Sequence, residues 1–360
     1  MIALTATTPA VVHRITARSA SDQQHHPAQL PGAIRVGIIG LDGHYSEITG
    51  AARILPNIRI TAIAETKTAL LQSAKRSAAL NSARIYEDYR RMLDQEKPDV
   101  VAVCGENGVR AAIVQACAER RIPVVAEKPL AISLKELEAV KRAVVSHNAP
   151  LTMLLPMRFS PQYQAVRNIV RSGAIGEVVS IDAQKSYKLG NRPDWMKVRK
   201  TYGGTIPYIG IHMVDLMRWA SGREFVEVAA FQSNVGFPEI GEMENNAAVI
   251  FRMDNRGAAT LRLDYLRPAT APTHGDDRLR IAGTKGVIEY REGEDLMLMT
   301  NEQKPVRVTD LPAGRFLFVD FLESLYLGQT HLIRPEEIFR VTEIVLKARE
   351  AAESNGAVRL

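Results

Sequence analysis

Four apolar runs of strand length, separated by helix-spaced segments, constrain this chain more than any other feature of it. They occupy residues 34–40 (Ile-Arg-Val-Gly-Ile-Ile-Gly), 58–65, 98–105 and 122–130. A run that is apolar at nearly every position suits a strand covered on both faces, and parallel strands need crossover connections that usually carry helices. The segments 46–55, 68–80 and 109–119 place apolar residues at helical intervals, and 133–145 opens on a Ser-x-x-Glu box made by Ser133 and Glu136. Strand and helix in alternation predict a doubly wound parallel sheet of the dinucleotide-binding (Rossmann) type over residues 34–155.

Beyond residues 149–159 the rhythm changes. A helix at 161–171 is followed by a strand in 176–187, a helix after Gly203-Gly204, and strands in 226–234, 245–253, 258–266 and 277–290. Short turns such as Asp254-Asn255-Arg256-Gly257 join these strands, so residues 156–334 are expected to form an α+β domain with a large, mostly antiparallel open sheet and helices on one side. Residues 335–360 read as a helix opened by Pro335 and ended near Gly356, expected to pack back on the first domain. Residues 1–33 are expected to be a disordered leader outside the fold. A chain of 360 residues exceeds the size of a single core, which agrees with an α/β arrangement of two domains.

Composition narrows the function classes. The chain carries 46 basic and 40 acidic residues, a net charge of +6, with no dense Lys/Arg block. An enzyme with an anionic cofactor accounts for that balance without nucleic acid. Cys104 and Cys117 form no CxxC and have no zinc-like histidine spacing, so neither a disulfide framework nor a metal is expected. No apolar run reaches the length of a membrane span and no secretory h-region is present, so a cytoplasmic protein without a membrane partner is expected.

The first strand-to-helix turn reads Gly40-Leu41-Asp42-Gly43-His44-Tyr45. Against G-x-G-x-x-G only Gly40 is in place; Asp42 and Tyr45 occupy the other two glycine positions, and Gly43 is one step out of register. Gly43 remains free to take positive φ, so Gly40, Asp42, Gly43 and His44 are candidates to cradle a diphosphate, with an ordinary strand-to-helix turn as the alternative. Glu65 ends the second strand, where an acid can accept both hydroxyls of an adenosine ribose and repel a 2′-phosphate. That favours NAD; Lys67 close by leaves NADP open. The alternative for Glu65 is a solvated strand end.

Taken together, "VGIIG", Glu65, "DVVAVCGEN", "VVAEKPL" and "YGGTIPYIGIHMVDLMRW" resemble the Gfo/Idh/MocA oxidoreductases over residues 34–358. Members of that family use nicotinamide cofactors on sugars, cyclitols and related polyols, and often form oligomers. The resemblance implies that Lys128 of Glu127-Lys128-Pro129 lies beside the nicotinamide and the substrate hydroxyl. Pro129 ends ladder pairing and allows a cis bond, and Glu127 holds the strand end or the cofactor amide. The family's second signature is a helical Asp-x-Gly-x-His. Here His212 keeps its place, as the group that takes the hydroxyl proton, while Tyr208 stands where the aspartate would. Tyr208 is expected to bond substrate, to be acidified by Lys128 and join a proton relay, or simply to pack. The family's Thr-Pro-Asn becomes Gly105-Glu106-Asn107, and a later histidine becomes Arg110. Asn107 still covers the cofactor in this reading, while Glu106 must point away or pair with Arg110.

A long basic and aromatic segment, residues 184–204, leads into the His212 helix. Lys185, Tyr187, Lys188, Arg192 and Trp195 are candidates for binding a carboxylated or phosphorylated sugar, and His274 is a weaker one; a solvated loop or a subunit contact is the alternative. The leading expectation is an NAD(P)-dependent dehydrogenase taking a hydride from a secondary hydroxyl of a sugar, cyclitol or sugar acid, in a homo-oligomer (dimer or tetramer). Two rivals stand beside it: a redox-neutral lyase, epimerase or glycosidase-type reaction with tightly held NAD, and a catalytically silent cofactor-binding regulator.

Overall fold

The computed structural model describes Leu30 and residues 32–360, and the leader expected over 1–33 otherwise lies outside the described residues. Six strands, β1 (Ile34–Ile39), β2 (Ile58–Ala64), β3 (Arg84–Tyr86), β4 (Val100–Val103), β5 (Val124–Ala126) and β6 (Leu151–Met153), form one sheet. Its order is β3-β2-β1-β4-β5-β6 and every pairing is parallel, the arrangement in which the strand order reverses beside β1 and opens a crevice at the carboxyl edge. Val100 to Val103 and Val124 to Ala126 are buried at every position, as strands covered on both faces require.

Helices α1 (Ser46–Ile54), α2 (Thr68–Arg76), α3 (Tyr89–Glu96), α4 (Asn107–Glu119) and α5 (Leu134–His147) make the crossovers. Helix α2 is shorter than its periodicity suggests, and α4 starts two residues earlier than expected. At α5 the hydroxyl of Ser133 accepts from the Glu136 N–H at 3.2 Å, while Glu136 Oε2 accepts from the N–H of Ile132 at 3.0 Å, one residue upstream of the box partner. The three-residue β3 has two exposed positions and leaves no periodic trace in the sequence.

The second sheet holds nine strands: β7 (Val178–Lys188), β8 (Phe225–Ser233), β9 (Asn246–Met253), β10 (Ala258–Arg267), β11 (Arg278–Gly283), β12 (Gly286–Arg291), β13 (Met297–Thr300), β14 (Val306–Arg307) and β15 (Val358–Arg359). They run in the order β14-β13-β12-β11-β7-β10-β9-β8-β15, antiparallel except for the central β7–β10 pair. Helices α6 (Pro161–Arg171) and α8 (Ile211–Ser221) cover one face, and the short α7 (Arg199–Tyr202) packs against α4. Helix α9 (Leu317–Leu327) packs on α1, and α10 (Pro335–Ser354) runs between the sheets, touching α5 and β6 on one side and β8 and α8 on the other. Beyond α10 the chain adds β15 to the edge of the second sheet, an element too short for periodicity to reveal.

Among the described residues no element covers the other face of that sheet. Burial alternates strictly along β9, and Val179, Phe231, Ile250 and Leu266 are exposed on it. Deep between the sheets, Arg158 donates to both oxygens of Asp215 on α8 (2.6 and 2.7 Å) and to Glu337 on α10 (3.1 Å). This buried cluster fixes α8, and with it His212, against the helix that joins the two halves.

Candidate active site

At the carboxyl edge of β1 the backbone closes tightly. Gly40 has φ +79°, and a Cβ there would lie 2.3 Å from Gly105 Cα, so no side chain fits. The positive φ expected at Gly43 is not seen; Gly43 instead needs hydrogen because a Cβ would lie 2.5 Å from Glu127 Oε1. Both glycines therefore hollow out the space in front of α1, where a helix N-terminus can receive an anion.

Glu65 is 7 % exposed, and its carboxylate accepts from the N–H groups of Leu41 (3.0 Å), Thr66 (2.7 Å) and Lys67 (2.9 Å). Three of roughly four acceptor positions are thus used to shape the loop. The two-hydroxyl ribose clamp expected of this acid is not set up, because only one position remains. Lys67 bridges Asp42 at 2.7 Å and Glu106 at 2.8 Å. Glu106 thus pairs with Lys67 and not with Arg110; Arg110 is buried and donates to the carbonyls of Pro129 (2.6 Å) and Gly105 (2.7 Å), bracing the ends of β4 and β5. Asn107 gives its amide to the Tyr202 carbonyl at 2.7 Å, which leaves its buried Oδ1 without a partner.

Lys128 follows β5 directly, is 3 % exposed, and precedes a cis Lys128–Pro129 bond. Its Nζ donates to the carbonyl of Tyr208 at 2.9 Å and sits 3.7 Å from the centre of the Tyr208 ring. The acceptor lies in a π-helical turn, Ile206–Gly210, immediately before α8. Such turns loosen the regular ladder and recur at functional sites. Burial pushes the Lys128 amine down to about 7; Glu127 opposes that, while Lys185, Arg110 and Arg192 add to it. Glu127 accepts from the Lys128 N–H at 3.1 Å, from the His44 N–H, and is 2.5 Å from His44 Nδ1. Although burial disfavours its charge, His44, Lys128 and Arg110 hold this carboxylate well below the usual range.

One turn beyond Tyr208, His212 is 5 % exposed and its Nδ1 has no partner. Burial and the nearby Lys128, Lys185 and His44 hold its pKa well below the ordinary value, so the ring is neutral at pH 7. The half-exposed His44 meets it edge to face, centroids 6.4 Å apart. Tyr208 is not acidified: burial and Glu127 push its hydroxyl up to about 12, against Arg110 and Arg192. Its ring packs against Tyr202 (5.2 Å) and Trp195 (6.0 Å), which makes it a wall of the cleft.

Lys185 points into the same region, but its Nζ is 2.5 Å from Asp277 and 3.6 Å from the Met157 sulfur, and it also bonds Tyr187. Its three donors are taken, so direct substrate contact through Nζ is not prepared. His274 stacks on Tyr187 at 4.9 Å. Asp277 was missed by sequence reading, although the acid pair Asp276-Asp277 beside His274 was available as a signal. The π-turn, the Tyr208 carbonyl and the bracing role of Arg110 had no signal of their own.

Two family models match the chain. One, described as the oxidoreductase family NAD-binding Rossmann fold, covers residues 34–154, and the other, the GFO/IDH/MocA C-terminal domain, covers 163–289. A solved putative oxidoreductase from Thermotoga maritima is 34% identical with a TM-score of 0.85, over 91% of this chain and 100% of that one. The chain belongs to the Gfo/Idh/MocA oxidoreductase family. Among other relatives, the uncharacterized oxidoreductase YrbE of Bacillus subtilis is 28% identical over 83% of this chain and 85% of its own length. A myo-inositol 2-dehydrogenase of Thermotoga maritima is 24% identical over 75% and 79%. Family membership brings an NAD-binding Rossmann domain, and the local structure fits that group: glycines at 40 and 43 leave the cradle open, and the unpaired Asn107 Oδ1 suits a carboxamide N–H. Among the described residues no helix is long and apolar enough to cross a membrane, and no cluster of His, Cys, Asp or Glu could hold a metal.

Proposed function

We propose that this protein is an NAD-dependent dehydrogenase that oxidises a secondary hydroxyl of a sugar, cyclitol or sugar acid. One observation carries the reading: Lys128, at the carboxyl edge of the dinucleotide sheet, reaches the carbonyl one turn ahead of His212. That contact supports a shared cleft floor for an amine and an imidazole far apart in sequence. Lys128 has further N–H groups with which to hold a substrate oxygen and stabilise developing negative charge on it. Neutral His212, with Nδ1 unpaired, accepts the hydroxyl proton. The nicotinamide, when bound, supplies the two-electron acceptor for the carbinol carbon.

Several features support the finer points. Asp42, Glu65 and Glu106 surround Lys67 at the edge where an adenosine ribose would lie, an acidic surplus that disfavours the 2′-phosphate of NADP. The printed name of the inositol dehydrogenase relative agrees with a polyol substrate. The bare face of the nine-stranded sheet, with Phe231, Ile250 and Leu266 exposed, supports a homo-oligomer.

The test is steady-state oxidation of a panel of inositols, aldoses and sugar acids with NAD, followed by nicotinamide absorbance. Lys128→Ala should lower kcat by at least about a hundredfold while the protein still binds NAD. Unchanged turnover in that variant would refute the mechanism. A redox-neutral reaction with retained NAD is the second reading, favoured by two buried groups, Lys128 and His212, that can both be neutral near pH 7 and so serve successive proton transfers. Accumulation of reduced cofactor in step with product rules it out.

A further inference from the structure

Between β7 and α7 the chain runs through residues 189–198 with a single 3-10 turn at Asp194–Lys197. Arg192 in this segment lies over the Tyr265 ring, its Cζ 4.6 Å from the ring centre. Its Nη2 donates to the Lys188 carbonyl at 2.8 Å, which fixes the plane of the guanidinium. The neighbouring Nε is shielded from solvent and has no partner, and the same holds for Nε1 of Trp195. Buried donors in native proteins are nearly always satisfied, so two unsatisfied ones on one segment call for an acceptor that arrives from outside.

The charges around them point the same way. Lys128, Lys188 and Arg192 form no ion pair among the described residues; only Lys185 of this group does, with Asp277. Lys188 is held by the carbonyls of Ala269 (2.8 Å) and Ala271 (2.5 Å), which take two of its three hydrogens without balancing its charge. Arg192 lies on the Tyr265 ring, the Tyr265 hydroxyl is 3.1 Å from that of Tyr202, and Tyr202 packs on the Tyr208 ring over which Lys128 sits, so a continuous run of rings links Arg192 to the cleft of the proposed chemistry. Tyr187, Tyr202, Tyr208, Tyr265 and Trp195 wall that cleft, and such apolar walls strengthen electrostatic interactions inside it.

We propose that Arg192, assisted by Trp195 Nε1, is an anion-binding subsite that makes the preferred substrate a sugar acid, held by its carboxylate while a hydroxyl of the same molecule lies at Lys128 and His212. Nη2 carries two hydrogens and gives one to Lys188, so its other hydrogen and that of the unpaired Nε can meet two carboxylate oxygens side by side. A phosphate dianion fits less well, because backbone carbonyls hold Lys188 by two of its three donors and leave one guanidinium to meet two charges. The turnover part of this inference rests on the dehydrogenase reading; the binding part does not.

The experiment measures binding by calorimetry and initial rates, both with NAD present, for D-gluconate and D-glucuronate against D-glucose, myo-inositol and D-glucose 6-phosphate. At least one sugar acid should bind or react at a tenfold or more lower concentration than its neutral counterpart. Arg192→Gln should remove that preference while NAD affinity shows the protein still folded, and Arg192→Lys should restore only part of it. Neutral sugars that bind as well as the acids, or an acid preference that survives Arg192→Gln, would overturn the subsite. A preference for the phosphorylated sugar that is lost in Arg192→Gln would overturn the carboxylate assignment. Oxidation of neutral polyols alone, unchanged in acid selectivity by Arg192→Gln, sinks this inference and leaves the dehydrogenase standing. Acid binding that depends on Arg192 with no oxidation of any compound supports the subsite and sinks the dehydrogenase.

Discussion

Replacing Lys128 by methionine should make the protein more stable, and by an amount that shrinks as the pH rises. The buried amine titrates at about 7 against an ordinary 10.5, chiefly because burial penalises its charge. At about 1.36 kcal/mol per pH unit, that gap sets a ceiling of about 5 kcal/mol on the cost of keeping the ammonium folded. Below pH 7 the amine is protonated in folded and unfolded chains alike, so the folded state bears the whole cost. Between 7 and 10.5 the unfolded chain binds more protons than the folded one, and stability therefore rises with pH; above 10.5 the effect vanishes.

Methionine is unbranched, of similar length and uncharged, and it gives up the bond to the Tyr208 carbonyl, worth about 1 kcal/mol for a neutral donor. The expected gain for Lys128→Met at pH 6 is about 2–4 kcal/mol, falling by about 2–3 kcal/mol between pH 7 and pH 9. Urea denaturation of the two proteins at pH 6, 7, 8 and 9 without cofactor, read by tryptophan fluorescence, measures the difference, and the comparison cancels the titrations that do not depend on Lys128. A difference that stays flat within about 0.5 kcal/mol across that range would show that the amine is hydrated and that burial does not set its proton affinity.

Two further substitutions test the scaffold. Gly43→Ala forces a methyl group onto a Glu127 carboxylate that His44 and Lys128 hold in place, and should weaken NAD binding at least about tenfold by calorimetry; wild-type affinity would show that the loop can give way. Asp215→Asn removes the charge and one of the two acceptor oxygens facing the buried Arg158, leaving Glu337 as its only anionic partner, and should cost about 3 kcal/mol in thermal or urea unfolding, whereas a loss under about 1 kcal/mol would mean that Glu337 alone balances the guanidinium.

The parallel sheet was legible because strands buried on both faces must be written in apolar residues: β4 and β5 are so throughout, and β1 and β2 are so apart from an exposed arginine near the start of each and Thr61. Elements whose stability comes from their neighbours were not. Helix α9 is apolar nearly all round and shows no stripe, β3 and β15 are too short to have a period, and the parallel β7–β10 pair depends on a crossover that no local pattern encodes. The same division runs through the site. Lys128 and His212 stand in motifs and could be named, but the contact that joins them uses the backbone carbonyl of Tyr208, which any residue could have offered. Glu65, Glu106 and Arg110 were seen as charges, while their partners proved to be loop amides, Lys67 and two carbonyls, which only the folded chain brings near.

The tyrosine at 208 and the unpaired arginine at 192 bear on one balance of charge. Where the resemblance places an aspartate one turn before the histidine, this chain has a phenol that stays neutral, since burial and Glu127 lift it to about 12. Removing a carboxylate from beside two basic groups lowers their affinity for protons, and both Lys128 and His212 are held low here. The cleft is thereby left with an excess of positive charge. An acid carried in by the substrate restores the missing negative charge at each turnover and raises the proton affinity of Lys128 only while substrate is present. Selectivity and proton transfer then depend on the same event: a neutral polyol would leave the lysine poorly protonated at pH 8, whereas a sugar acid on Arg192 would recharge it. The pH dependence of kcat should accordingly lie at higher pH for acids than for neutral substrates, and a common profile for both would break the link between Arg192 and Lys128.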